Sequence, residues 1–279
     1  MKGIYANKFL SGKKILFFGD SIMGSDRYKN NKEESKGVPD LVADYTGATV
    51  INAGMPGTSI SSLAAKLKPL SQEELIKRLT KKKDYFTGLE GFTDSSKYAS
   101  GIVKGVQALL DYQNGKENPF DDISVIVLAH GTNDWTQNVF LHNETHYDYG
   151  RAITTVGVLE KLETNINKIQ AAYPGMMILV LTPIWRYFGT NGKTNGDNYT
   201  GFGDGYTLKE WATEIEKLCK NKRIAVLNGY EKMQLSTNGY FFDKDDRTHL
   251  NYKGNQMYAA LITEKLREMG LPPNETSDT

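Results

Sequence analysis

A serine stands in the turn that follows the first apolar run of the chain. The run at residues 13–18 ends at Gly19-Asp20-Ser21, and this length, bounded by a glycine, is typical of a buried strand. The hydroxyl of Ser21 would lie at the edge of a sheet, with its own backbone N–H directed into the same space. One residue could then supply both a nucleophile and a donor for a developing anion. On the turn alone, however, the simpler interpretation that Ser21 caps a helix is favoured.

A serine nucleophile needs a base, and the chain contains four histidines. His249 stands three residues after Asp246, just before the last predicted helix. In a turn, this spacing can bring the carboxylate to one ring nitrogen and leave the other ring nitrogen for the serine. The carboxylate would then fix the tautomer of the ring and stabilise the imidazolium that forms. The alternative is a histidine near a helix N-terminus that has no chemical function.

An acyl-transfer site also needs hydrogen-bond donors for the oxyanion. The glycine turn that contains Gly54 and Gly57 could offer a backbone N–H, and Asn133 could offer its side-chain amide. An ordinary glycine turn and an ordinary polar loop are the alternatives. Asp134, directly after Asn133, is expected to brace this loop and not to react.

Five apolar runs alternate with amphipathic stretches along the chain. This pattern predicts a parallel sheet with helices on both faces, in which ligands bind at the carboxyl ends of the strands. The turns after residues 18, 52, 129 and 181 all lie at such ends. The predicted strands are residues 13–18, 48–52, 123–129, 176–181 and 224–227. The predicted helices are residues 38–45, a stretch opening at 71, and residues 95–112, 151–173, 208–220 and 251–269.

The length of 279 residues fits one large domain or two small ones. No linker rich in proline or serine divides the chain, so we expect a single domain over residues 1–279. Residues 60–120 are predicted to be a helical elaboration on the sheet, and residues 271–279 a frayed tail.

Four short stretches carry the candidate residues, and together they are far more specific than any one of them. They read GDS at 19–21, NAGMPGTS at 52–59, GTND at 131–134 and DRTH at 246–249. In this order they resemble the four signature stretches of the SGNH hydrolases, also called the GDSL esterase/lipase family. The resemblance implies a three-layer α/β/α flavodoxin-like fold with a mainly parallel five-stranded sheet.

The resemblance also implies a role for each candidate. Ser21 would be the nucleophile, His249 the general base and then the general acid, and Asp246 the residue that orients His249. The oxyanion would be held by the N–H groups of Ser21 and Gly57 and by the Asn133 amide.

Two details of the match concern single positions. Gly57 is preferred over Gly54 because it precedes Thr58, as in the second stretch of the family. Ile22 takes the place of the leucine in the nominal motif. The chain has no G-x-S-x-G turn, which makes an ordinary α/β-hydrolase a weaker interpretation.

Several side chains beside these stretches are candidates for substrate binding. Aromatic side chains that leave the fourth strand could stack on a sugar ring, and Arg186 could hold an anionic group. A packed hinge is the alternative. The long loop at residues 187–206 is expected to be a lid or a substrate wall. The candidates are Asp20, Trp135, Trp185, Arg186 and Tyr187.

These observations predict a serine esterase that acts on carboxylic esters, with short acyl (acetyl) esters of a carbohydrate as the expected substrates. The partner would be a small-molecule or saccharide ester, and a homo-oligomer is compatible with the sequence. A saccharide-binding or phage/cell-surface adhesion module with little turnover is the alternative. A flavodoxin-like nucleotide binder is less favoured, because the acidic Asp20 beside the turn opposes phosphate.

Composition excludes other classes of protein. The net charge of +1, from 34 basic and 33 acidic residues, argues against nucleic-acid binding. No apolar run reaches about 18 residues, so no membrane partner is expected. One cysteine excludes an intrachain disulfide. The glutamate of HNETH at 142–146 is misplaced for a zinc helix, so no metal and no cofactor is expected.

The N-terminal residues lack the apolar core of a signal peptide. A cytoplasmic location is the default expectation, with a secreted or virion/cell-surface location as the alternative.

Overall fold

A computed structural model describes the chain over the predicted sheet and over two of its four signature stretches in full, residues 19–21 and 131–134. The described residues are 8–24, 36–54, 56–60, 122–136, 139–148, 151–187, 193–199, 205–237, 239–243 and 247–271.

A five-stranded sheet with the order β2-β1-β3-β6-β7 forms the centre of the fold, and every neighbouring pair in it is parallel. A separate antiparallel pair is formed by β4 and β5. The sheet strands are β1 Lys14–Gly19, β2 Thr49–Asn52, β3 Ile123–Ala129, β6 Met177–Leu181 and β7 Ala225–Leu227, and the hairpin strands are β4 Glu144–Asp148 and β5 Arg151–Thr155.

Helices cover the sheet as two packed pairs, which gives the three-layer α/β/α arrangement. Helix α1 packs against α6, and α3 packs against α4. The short helices α2 and α5 each follow a strand of the sheet. The bounds are α1 Val38–Thr46, α2 Thr132–Thr136, α3 Val158–Ala172, α4 Leu208–Asn221, α5 Gly229–Met233 and α6 Tyr252–Glu268.

The apolar side chains of β1 and β3 explain why these two strands lie inside the sheet. Strands β1 (KILFFG) and β3 (ISVIVLA) are almost wholly apolar and almost wholly buried, as strands covered on both faces must be. Their register pairs Gly19 with Ala129, so both strands end at the same level. The segments that leave them therefore start side by side at one edge of the sheet.

The helix predicted over residues 151–173 is wrong in its first part. Residues Arg151–Thr155 form β5, which pairs with Glu144–Asp148, and helix α3 begins only at Val158. The segment Ile153-Thr154-Thr155 is β-branched, which favours an extended strand once a partner strand is available. The hairpin also absorbs the HNETH segment, whose last three residues lie in β4 and not on a helix.

The five predicted sheet strands are confirmed with end shifts of one residue or none. The predicted helices between residues 60 and 120, and the tail beyond residue 271, lie outside the described residues. No helix in the described ranges is long and apolar enough to cross a membrane.

Candidate active site

The turn after β1 places the nucleophile candidate where its backbone N–H can face a ligand. The Asp20 side chain accepts a hydrogen bond from the N–H of Ile22 at 2.9 Å, and the Asp20 carbonyl accepts from the N–H of Gly24 at 3.0 Å. An aspartate that bonds the backbone two residues ahead is a common way to build such a turn. The N–H of Ser21 takes part in no hydrogen bond within the described segments.

Glycine is required at the start of this turn by close packing. A Cβ atom at Gly19 would lie 2.5 Å from the side chain of Met23, closer than two carbon atoms can approach. Met23 itself is buried in the core. The glycine therefore allows the turn to pack closely on the end of β1, and this packing fixes the position of Ser21.

The ring of His249 lies within hydrogen-bond distance of the serine, although 228 residues separate the two in the chain. The distance from His249 Nε2 to Ser21 Oγ is 2.6 Å, and His249 is buried. Because the Ser21 hydroxyl points to this ring, it does not cap a helix in this structure. This distance is within the range that proton transfer between a nucleophile and its base requires.

The segment that carries His249 is folded back on itself by backbone hydrogen bonds. Asp243 N–H donates to the His249 carbonyl at 2.8 Å, and Arg247 N–H donates to the Asp243 carbonyl at 3.0 Å. Phe242 and Leu250 form an isolated antiparallel bridge that closes the segment. The orienting residue expected from the sequence, Asp246, lies outside the described residues.

The two glycines considered for the oxyanion site have different surroundings. The N–H of Gly54 donates to Asn52 Oδ1 at 2.9 Å, so this donor is already used by the protein. Gly57 has a φ of 78°, a conformation that favours glycine. No hydrogen bond within the described ranges uses its N–H. These contacts favour Gly57 over Gly54 as a donor to a ligand.

Asn133 lies in the first turn of α2 and is held in place by the segment at residues 56–60. Its Nδ2 donates to the Thr58 carbonyl at 2.7 Å. A side-chain amide has two N–H groups, so one remains for an oxyanion. The fully buried Asp134 accepts the N–H of Ile60 at 2.8 Å and so braces the same two segments.

Thr58 and His130 connect the segments that carry the candidates, a role that the sequence did not reveal. Thr58 Oγ1 donates to the Gly19 carbonyl at 3.1 Å and lies 3.2 Å from His130 Nε2. Burial lowers the pKa of His130 to about 3, so the ring is neutral, and it can donate from Nε2 while the threonine donates to Gly19. Thr58 lies within the second signature stretch and His130 directly precedes the third, but only the fold brings them together.

The carboxyl of Asp20 is buried beside the serine turn and is hard to ionise. Burial raises its pKa to about 7, against the opposing effects of the Ile22 N–H and the Arg186 guanidinium. The cavity that Asp20 lines with His130 and Tyr258 measures about 10 Å³, room for about one water molecule. So little water cannot hydrate a carboxylate well, and the pKa rises accordingly.

The five substrate-binding candidates all have buried side chains in the structure. Trp185 Nε1 donates to Asp197 at 2.7 Å, and the Tyr187 hydroxyl donates to the Thr237 carbonyl. Arg186 Nε donates to Thr132 Oγ1 at 2.6 Å. These polar groups are engaged inside the protein, as in the packed-hinge alternative.

The loop after β6 is expected from its sequence to be a lid or a substrate wall. Its described residues, 193–199, are held against the core by hydrogen bonds and ring packing. Asp197 accepts hydrogen bonds from Trp185 and from the Tyr230 hydroxyl. The Tyr199 ring packs edge-on against Trp135, with centroids 5.2 Å apart. Residues 188–192 and 200–204 lie outside the described residues.

Within the described ranges, no group of three or more histidine, cysteine, aspartate or glutamate side chains is arranged to hold a metal ion. The one cysteine, Cys219, is buried in α4, and burial raises the pKa of its thiol to about 12.

Comparisons with known proteins fit this geometry. A family model described as the GDSL-like Lipase/Acylhydrolase family matches residues 17–257. A solved structure from Lactobacillus plantarum is 19% identical with a TM-score of 0.53, over 93% of this chain and 97% of that one. A possible lipase from Chitinophaga pinensis is 17% identical with a TM-score of 0.54, over 93% and 99%.

A carbohydrate acetylesterase from Sinorhizobium meliloti is 15% identical with a TM-score of 0.51, over 92% of this chain and 99% of that one. At these identities the likeness to solved structures shows the fold alone. A comparison with curated protein sequences found no match.

Proposed function

The chain belongs to the GDSL-like lipase/acylhydrolase family and is an ester hydrolase of that type, and we propose that it works as a serine esterase on short acyl esters of carbohydrates. The observation that carries the proposal is the 2.6 Å distance between Ser21 Oγ and His249 Nε2.

In the first half of the reaction, Ser21 Oγ attacks the ester carbonyl carbon while its proton passes to His249 Nε2. The carbonyl π electrons move to the oxygen, which becomes an oxyanion. When the carbonyl re-forms, the bond to the leaving alkoxide breaks, and His249 returns the proton to that oxygen. The products of this half are a free alcohol and an acyl-Ser21 ester.

In the second half, His249 takes a proton from water, and the resulting hydroxide attacks the acyl carbon. Collapse of this second oxyanion breaks the bond to Ser21, which regains its proton from His249, and the carboxylic acid leaves. Asp246 is proposed to accept a hydrogen bond from His249 Nδ1 and to stabilise the imidazolium in both halves.

The oxyanion is proposed to bind the N–H groups of Ser21 and Gly57 and the second N–H of the Asn133 amide. The support is that the two backbone N–H groups have no hydrogen bond within the described ranges, whereas Gly54 donates to Asn52. Preorganised donors of this kind stabilise the transition state strongly, because they need no rearrangement when the charge forms.

The substrate class is proposed from the surface of the chain. Of the large hydrophobic side chains whose exposure the structure describes, only Val156 and Tyr240 are exposed. A long-chain lipid would need a wide apolar surface next to the serine, whereas an acetyl group needs little. The proposal therefore favours a short acyl group on a polar alcohol. The acetylesterase from Sinorhizobium meliloti shows that a protein of this fold can carry that activity.

The catalytic proposal is tested by replacing the nucleophile. Ser21→Ala should abolish hydrolysis of p-nitrophenyl acetate, because no other group replaces the attacking oxygen. Ser11→Ala, in the turn before β1, is the matched control and should keep the activity of the unchanged protein. Full activity in Ser21→Ala, or none in the unchanged protein, would contradict the proposal, and the second result would favour a binding module.

The substrate proposal is tested with a panel of acetylated monosaccharides and oligosaccharides, by titrating the acetate released. Release of acetate from at least one sugar, with a higher kcat/KM than for ethyl acetate, is expected. Equal kcat/KM for sugar and simple alkyl acetates would show that the site does not recognise a saccharide.

A further inference from the structure

Arg186 carries a permanent charge into the interior of the protein. Its side chain is 5% exposed, and a guanidinium cannot lose its proton at any physiological pH. A buried charge is costly unless hydrogen bonds replace the lost water. The acceptors that this side chain uses therefore indicate why an arginine is present.

Those acceptors lie on the two segments that carry the base and the amide donor. Nε donates to Thr132 Oγ1 at 2.6 Å, and Nη1 donates to Thr248 Oγ1 at 3.2 Å. Thr132 directly precedes Asn133, and Thr248 directly precedes His249. A third bond, from Nη1 to the Tyr187 carbonyl at 3.3 Å, fixes the guanidinium to its own segment.

The charge of Arg186 also acts on the third segment of the site, the serine turn. The Arg186 guanidinium acts on the Asp20 carboxyl by lowering its pKa, in opposition to burial, and Asp20 directly precedes Ser21. The guanidinium also lies over the Trp135 ring, 5.6 Å from its centroid. One side chain therefore bonds to the residues directly before the amide donor and the base, and its charge acts on the residue directly before the nucleophile.

We infer that Arg186 is a positioning residue, which acts through Thr132 and Thr248 to hold His249 in register with Ser21 and Asn133. This inference rests on the proposed function. A guanidinium suits the task because its donors form a rigid planar fork, whereas a lysine offers a flexible point charge. The site needs this precise positioning, because a displacement of about 1 Å between reacting groups can lower the rate a hundredfold.

The inference replaces the expectation that Arg186 holds an anionic group of the substrate. An arginine that binds substrate must offer donors to a ligand, and its loss raises KM. An arginine that positions the base offers its donors to the protein, and its loss lowers kcat for neutral and anionic esters alike. The two roles therefore differ in a measurable way.

The test compares Arg186→Lys and Thr248→Val with the unchanged protein. Each variant removes one side of the same contact and keeps the size of the side chain nearly constant. Hydrolysis of p-nitrophenyl acetate should show a kcat lower by about tenfold to a hundredfold, with KM within twofold. The double variant should be no slower than the slower single variant, because both changes break one connection.

Two matched controls separate this effect from general disturbance of the fold. Arg267→Lys alters an exposed arginine that pairs with Glu264 at the end of α6, and Thr213→Val alters a threonine whose hydroxyl donates to the Lys209 carbonyl within α4. Both should keep kcat and KM unchanged. Circular dichroism and the melting temperature show whether each variant is folded.

A kcat within twofold of normal in Thr248→Val overturns the inference, even where Arg186→Lys fails to fold. A raised KM with normal kcat, or a loss confined to anionic esters, assigns Arg186 to substrate binding and also overturns it. The unchanged protein reports on the proposed function separately. If it hydrolyses the ester and the variants equal it, only the positioning role fails, and if it is inactive, both fail.

Discussion

At the scale of single residues, three of the four signature stretches stand at the ends of neighbouring strands, and the fourth lies just before α6. Residues far apart in the chain could therefore be predicted as one candidate site. Ser21 and His249 are brought together at 2.6 Å, and Asn133 and the residues at 56–60 lie against the same edge. The sequence could not reveal which donors the protein itself uses. The N–H of Gly54 is bonded to Asn52, and the guanidinium of Arg186 is bonded to two threonines. The first depends on the local conformation of the turn at residues 52–54, and the second on partners 54 and 62 residues away in the chain.

Replacement of Asn133 tests whether its side-chain amide belongs to the oxyanion site. Asn133→Ala should lower kcat by about a hundredfold or more, because it removes a donor that acts on the developing charge. Loss of the bond to the Thr58 carbonyl should lower the free energy of unfolding by only about 1 kcal/mol. Initial-rate kinetics and urea unfolding measure the two effects. Asn167→Ala, on the exposed face of α3, is the control, and a loss below threefold in Asn133→Ala would remove this amide from the site.

The pH dependence of stability tests whether the pKa of Asp20, in the serine turn, is raised. Its pKa is about 7 in the folded protein, compared with 3.8 for an ordinary aspartate, so the folded state binds the proton more tightly than the unfolded state. The stabilisation from this proton is fully present below about pH 4 and is lost as the pH rises through about 7. The loss is on the order of 4 kcal/mol.

Asp20→Asn removes this titration and keeps an oxygen that can accept the Ile22 N–H. Between pH 4 and pH 8, the free energy of unfolding of the unchanged protein should therefore fall relative to that of the variant. Urea unfolding across this range measures the difference, with the exposed Asp122→Asn as the control. A difference that stays constant with pH would show that Asp20 ionises normally in the fold.

At the scale of elements, alternation of apolar and amphipathic stretches was sufficient to predict the sheet. Strands β1 and β3 are apolar throughout because helices cover both of their faces, and such runs are recognisable without any partner. The hairpin of β4 and β5 was missed for the opposite reason. Residues Arg151–Thr155 continue the amphipathic pattern of α3, and their strand conformation depends on pairing with Glu144–Asp148.

At this scale, we predict the effect of weakening the contacts of the loop after β6. Hydrogen bonds to Asp197 hold the described residues of this loop against the core. Asp197→Ala removes the acceptor for the Trp185 and Tyr230 side chains. The free energy of unfolding should fall by about 1 kcal/mol, since the aspartate is itself exposed. Amide hydrogen exchange at residues 195–199 should become faster.

Asp122→Ala is the matched control for this change, because its ion pair with Lys14 is exposed and should contribute little. Unchanged exchange at residues 195–199 in Asp197→Ala would mean that the loop is held by other contacts.

At the scale of the whole molecule, the parallel sheet explains how residues from four distant stretches form one site. All neighbouring strands run in the same direction, so the segments leaving β1, β2 and β3 start at one edge, and the segment before α6 closes over them. The family and the fold were predicted from the sequence because this arrangement requires its motifs in a fixed order. The substrate expected from the sequence, a short acyl ester of a carbohydrate, stays a prediction, since the walls of the site depend on loops with no such order.

The scarcity of exposed apolar side chains in the described part of the chain predicts how activity depends on the acyl group. Among p-nitrophenyl esters, kcat/KM should be highest for acetate and should fall steadily towards octanoate. The rate should also show no jump where a longer ester begins to form micelles, because the described residues present no broad apolar surface to bind them. Initial rates across chain length and ester concentration measure both. A maximum at octanoate, or a jump at the micellar concentration, would indicate a lipase.

The pairing of Ser21 with His249 is the claim on which the rest depends, and covalent labelling tests it most directly. A fluorophosphonate should modify one residue, and peptide mapping by mass spectrometry should place the adduct on Ser21. In His249→Ala the rate of labelling should fall by about a thousandfold or more, because the hydroxyl then lacks its base. An adduct on a different residue, or equally fast labelling of Ser21 without the imidazole, would contradict the account.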